Sequence, residues 1–121
     1  DVYKRQRIEW AARLCAEAAP EALPDLIYEV IGTSVASQES VVAAFALARA
    51  VANDQLAPYQ ALCMAASLGG DTDTIAAVLG AMLGAAFGLD AWPREALAQV
   101  CAVSQIDLAP LTDQLLALRT P

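Results

Sequence analysis

The residues best placed to do chemistry in this chain lie in one stretch, Ser67-Leu68-Gly69-Gly70-Asp71-Thr72-Asp73-Thr74. Two carboxylates and two hydroxyls follow a pair of glycines, and no further charge occurs until Asp90. Asp and Thr favour helix starts because their oxygens accept from the unpaired N–H groups of the first turn. A helix is therefore expected to begin between Asp71 and Asp73. Residues three apart on a helix share a face, which directs Asp71 and Thr74 the same way, with Asp73 flanking them. Three hard oxygen ligands near the positive end of a helix suit a divalent cation such as Mg2+. On residue types alone a second reading also stands, in which one aspartate caps the helix and the other is solvated.

The elements that must position this cluster are helical. From Ile75 to Gly88 the chain is apolar or small, with Gly80, Gly84 and Gly88 at i, i+4 and i+8 and Ala77, Ala81 and Ala85 one position round. Each interior glycine costs about 1 kcal/mol relative to alanine, and close approach of a second backbone is the expected compensation. A helix apolar all round belongs to a membrane or to the centre of a bundle. This run is shorter than the ~20 residues a bilayer requires and has Asp71, Asp73 and Asp90 at its ends, so it is assigned to a soluble bundle and no membrane partner is expected.

Gly69-Gly70-Asp71-Thr72-Asp73-Thr74-Ile75-Ala76, with Gly80, Gly84-Ala85 and Phe87-Gly88 behind it, resembles the C-terminal signature of the ADP-ribosylglycohydrolase family. The resemblance implies an all-α fold holding two Mg2+ ions, or Mn2+, with Asp71, Asp73 and Thr74 as metal ligands. A second segment, Gly32-Thr33-Ser34-Val35-Ala36-Ser37-Gln38-Glu39-Ser40-Val41, is similar to the family's G-N-G-[IV]-x-x-x-E-S-[VL]-P loop. It departs from that pattern at Thr33, Ser34 and Val42. By this resemblance Thr33, Ser34 and Val35 contact substrate, and Gly69 and Gly70 are counted with them. The implied substrates are ADP-ribosylated proteins or small ADP-ribosyl compounds. The family's T-D-D-T and G-D-x-x-G-x-x-x-E segments have no counterpart here, so the chain is expected to be the C-terminal part of one domain and inactive alone. The rival reading is a non-catalytic helical module in which the D-T-D-T segment is only a cap.

Composition narrows the field. The chain has 121 residues, 58% apolar content, no histidine and a net charge of −7. Without histidine, Ser-His-Asp and Cys-His catalysis and histidine-ligated zinc are excluded. The negative charge opposes a nucleic-acid partner. Cys15, Cys63 and Cys101 are odd in number and lie in apolar helical sequence, which predicts buried free thiols and a cytoplasmic, reducing compartment.

Read along its length, the chain is expected to be an all-α, orthogonal multi-helix bundle around a buried small-residue central helix, a fragment of the ADP-ribosylglycohydrolase fold. Residues 1–6 read as a non-native leader and 7–121 as the folded part. Helices are expected over Arg7–Ala19, from Pro24 to Gly32, from Ser37 with Val41, Ala44, Phe45, Ala48 and Val51 as its apolar stripe, over Tyr59–Ala66, over Arg94–Val103 and over Asp107–Leu118. Removing the rest of the domain is expected to expose apolar surface and favour self-association.

Overall fold

The computed structural model describes residues 2–119, with helices, turns and connecting loops and no strand among them. It divides into two units, Asp1–Ala91 and Trp92–Pro121. In the first unit α1 spans Val2–Ala16. Residues 2–6, set aside in the sequence reading, are its opening turns. A 3-10 turn at Pro20–Ala22 leads into α2 (Leu23–Leu26), which widens into a π-helical turn at Ile27–Ile31. Then come α3 (Ser37–Ala52), α4 (Pro58–Ser67) and α5 (Thr72–Phe87).

Each start has a local cause. Proline stands in the first turn of α2 and of α4, where its missing N–H is no loss. The π turn ends on Gly32, whose φ of 95° only glycine adopts without strain and whose N–H donates to the Ile27 carbonyl at 2.8 Å. The turn also keeps Ile27 and Ile31 on the buried side. Gln55 closes the far end of α1, its Nε2 donating to the Cys15 and Ala18 carbonyls.

The all-α bundle is as expected, but its centre is α3 and not α5. Val42, Ala43, Ala44, Ala46, Leu47 and Ala50 of α3 are all essentially inaccessible, and the helix packs against α1, α4 and α5. Phe45, expected in its core stripe, is instead exposed. On α5 only Ile75, Leu79 and Leu83 are buried. Ala77, Ala81 and Ala85 are open, and a Cβ on Gly80 would meet nothing closer than Leu62 Cδ1 at 3.6 Å, so no second backbone approaches there. The physical reason is area. Burying one large aliphatic side chain is worth about 1.5–3 kcal/mol, so the Ile75-Leu79-Leu83 stripe turns inward and leaves the small-residue faces outside. Thr72–Ala91 is long and apolar enough to cross a membrane by length and composition, with 22% of its most apolar 18 residues buried. Its three core contacts are also those of a bundle helix.

The second unit is a helical pair, α6 (Arg94–Ser104) and α7 (Ala109–Ala117). Gln105, in the left-handed conformation, ends α6, and the Asp107 carboxylate accepts from the Ala109 N–H ahead of α7. Neither helix has a buried residue, and Leu108, Leu111, Leu115 and Leu118, expected to share a stripe, are all more than half exposed.

Candidate metal and substrate site

Two loops of the first unit meet. One is the Gly32–Ala36 connection between the π turn and α3, and the other is the Leu68–Asp71 turn ahead of α5. The Asp71 N–H donates to the Thr33 carbonyl at 2.7 Å. Gly69 and Gly70 both have positive φ, 88° and 74°, and each is crowded. A Cβ on Gly70 would run into the Thr33 carbonyl oxygen and hydroxyl, while one on Gly69 would lie 3.1 Å from the Tyr28 ring. The double glycine thus permits a close approach of backbone to backbone.

Asp71 occupies the N-cap position of α5, yet its side chain makes no capping hydrogen bond. The neighbouring Asp71 side chain, followed by donation from the Thr74 N–H to Asp73 Oδ1 at 2.9 Å, holds the Asp73 carboxyl below the usual carboxylate range. Asp73 and Thr74 are exposed and Asp71 is half-buried.

The donor chemistry fits a hard cation. Asp71 and Asp73 set two carboxyl groups at the start of α5, the positive end of a helix, and carboxylate oxygens are what a hard divalent cation takes. The set is nevertheless partial. Among the described residues, no three or more acidic, cysteine or histidine side chains converge on one point.

The other loop is held from α3 and α1. Glu39 accepts from the Ser34 N–H at 3.0 Å. The Ser34 hydroxyl and N–H, with the Arg7 charge behind them, lower the Glu39 pKa. Ser37 was expected to mark the helix start; α3 does begin there, but the capping position falls on Ala36, whose side chain makes no capping bond, and Glu39 reaches back past it to the loop. Of the expected substrate positions, Ser34 and Val35 face solvent, Val35 at 84% exposure, whereas Thr33 is buried and occupied in joining the two loops.

Sequence reasoning missed Tyr28 and Arg7. Tyr28 lies on the π turn with its ring against Gly69, and its place follows only from the wider turn. Arg7 donates through Nη2 to the Ile31 carbonyl at 2.8 Å and through Nε to the Gln38 carbonyl at 2.9 Å. The rings of Trp10 and Tyr3 lie 5.4 and 6.0 Å from its guanidinium carbon. No local motif marks these contacts, because their partners are backbone oxygens distant in sequence.

The first unit is all-helical and sets a carboxylate pair at the start of α5 beside a loop that follows Gly32. The family model described as ADP-ribosylglycohydrolase matches residues 1–121. The chain belongs to the ADP-ribosylglycohydrolase family. It is 35% identical over 102 residues to the uncharacterized protein YegU of Escherichia coli K12, an alignment covering 84% of this chain and 30% of that relative. The chain thus spans about a third of that relative's length. No solved structure matches it significantly.

Proposed function

We propose that this chain is the C-terminal, cation-holding part of a hydrolase that removes ADP-ribose from modified protein side chains or related ADP-ribosyl compounds. Asp71, Asp73 and Thr74 are the ligands this chain offers to Mg2+ or Mn2+, and the complete site holds two ions. The observation that supports this most is the hydrogen bond from Asp71 to Thr33, which sets the carboxylate cluster beside the loop carrying Ser34 and Val35. The rival reading, a mere helix cap, has less support because the Asp71 side chain caps nothing.

A divalent cation held by Asp71, Asp73 and Thr74 would serve to orient the ribose hydroxyls and acidify water. This chain's own residues act by position and charge. The Asp71 and Asp73 carboxylates stabilise positive charge growing at C1 of the ribose as the glycosidic bond lengthens, since that transition state has oxocarbenium character. Gly69 and Gly70 let their turn close onto Tyr28 and Thr33, and Ser34 and Val35 line the open side. The three cysteines are free thiols, in keeping with a cytoplasmic setting. The net charge of −7 is in keeping with a partner other than nucleic acid.

The test is turnover of an ADP-ribosyl-arginine or ADP-ribosyl-serine peptide, by this chain alone and by a protein extended to the length of its relative. Activity in the long form, abolished by Asp71→Ala, is expected, with none in the short form. Turnover by the 121-residue chain alone would overturn the partial-site reading.

A further inference from the structure

We propose that Arg7 is a positioning residue that fixes the Gly32–Ala36 loop against the Gly70–Asp71 turn, and so sets the substrate-facing half of the site from α1. As a statement about substrate it rests on the function proposed above, but its structural part stands alone. The Arg7 guanidinium grips the loop at both of its ends. It takes the carbonyl of Ile31, one residue before the loop's glycine hinge, and that of Gln38, in the first turn of α3. Between these anchors lie Thr33, which receives the Asp71 N–H, and Ser34, whose N–H goes to Glu39.

The geometry suits arginine specifically. Two carbonyls at 2.8 and 2.9 Å are met by two different nitrogens of one rigid fork, which the single ammonium of lysine cannot reproduce. The Trp10 and Tyr3 rings fix the guanidinium plane by cation–π contact. Glu39 adds a second restraint. Its side chain fills the space a Cβ on Gly32 would need and accepts from Ser34, so hinge, loop and helix start form one connected unit with Arg7 behind them.

Amide hydrogen exchange by NMR on the wild-type chain, Arg7→Lys, Arg7→Gln and Arg7→Ala tests this without any ligand. The Asp71 and Ser34 amides are expected to exchange at least tenfold faster in Arg7→Ala and Arg7→Gln. Arg7→Lys should give a smaller acceleration, and the Leu47 and Ala50 amides of α3 should stay within twofold of wild type. Unchanged Asp71 and Ser34 exchange, or equal acceleration throughout α3, would overturn the inference, the second because it reports only lost global stability. In the extended protein, KM for the ADP-ribosyl peptide is expected to rise about tenfold in Arg7→Ala with kcat changed less than threefold, and to recover in part with lysine. A fall in kcat alone would contradict a loop-positioning role. Absence of any turnover in the wild-type extended protein, with the exchange pattern as expected, would remove the functional reading and leave the positioning role established.

Discussion

Substituting Gly70 by alanine separates a packed junction of two loops from two loops that merely lie near each other. Gly70 has φ of +74°, where an L-residue costs about 1–2 kcal/mol. Its new Cβ would also collide with the Thr33 carbonyl and hydroxyl. These belong to a buried residue that cannot swing aside, and forcing atoms into such a place costs about 1–3 kcal/mol more. The total of about 2–5 kcal/mol is a large part of the ~5–15 kcal/mol available to a small domain. Gly69→Ala is the matched control. It too has positive φ, but its Cβ meets the edge of the half-exposed Tyr28 ring, which can move. Its cost should be about 1–2 kcal/mol, and the gain from a stiffer unfolded chain is common to both variants and cancels. Urea denaturation followed by far-ultraviolet circular dichroism, at constant slope, is the assay. Gly70→Ala is expected to lose at least about 1 kcal/mol more than Gly69→Ala. Equal losses would refute the close approach of Thr33 to Gly70 and, with it, the junction of the loops.

Gly80→Ala should stabilise the chain by roughly 0.5–1 kcal/mol, since the added methyl reaches only ordinary contact with Leu62; a loss in the same denaturation experiment would mean that α5 does meet a close neighbour there. Glu39 has a depressed pKa in the folded chain, so its contribution to stability is present above the ordinary value of 4.5 and disappears as pH falls through the folded value. Glu39→Gln should therefore flatten the acid limb of a stability–pH curve below that point, and an unchanged limb would show that the Ser34 contact does not hold the charge. Cys15 is buried, with its thiol pushed up to about 11 by burial, while Cys63 is exposed. Iodoacetamide at neutral pH should label Cys63 in the folded chain and Cys15 only after unfolding, as mass spectrometry of peptides would report.

The helical class and most helix positions were legible because alanine, leucine and well-placed prolines repeat at helical spacing through the chain. The carboxylate cluster was legible because glycines, aspartates and threonines concentrate in eight positions, Ser67–Thr74. The centre of the bundle was not. An uncharged helix such as α5 offers no polar face to point outward, and its glycine stripe drew the assignment away from Ile75, Leu79 and Leu83, which bury more area. In α3 the buried side is broad enough to take Val42, Ala43, Ala46 and Leu47, so a single stripe through Phe45 underestimated it. The role of Thr33 depends on a carbonyl oxygen, which every residue carries, and that of Arg7 on two more. Side-chain types cannot reveal such contacts.

The most direct test of the proposed cation site is Mn2+ binding by calorimetry in a protein extended to the relative's length, comparing wild type with Asp71→Ala and Asp73→Ala. Both variants are expected to lose at least tenfold in affinity, and Asp71→Ala to keep its stability, because the Asp71 side chain makes no capping hydrogen bond. Wild-type Mn2+ affinity in both, accompanied by a stability loss of about 1 kcal/mol as for a removed cap, would contradict the account and return the two aspartates to the helix start alone.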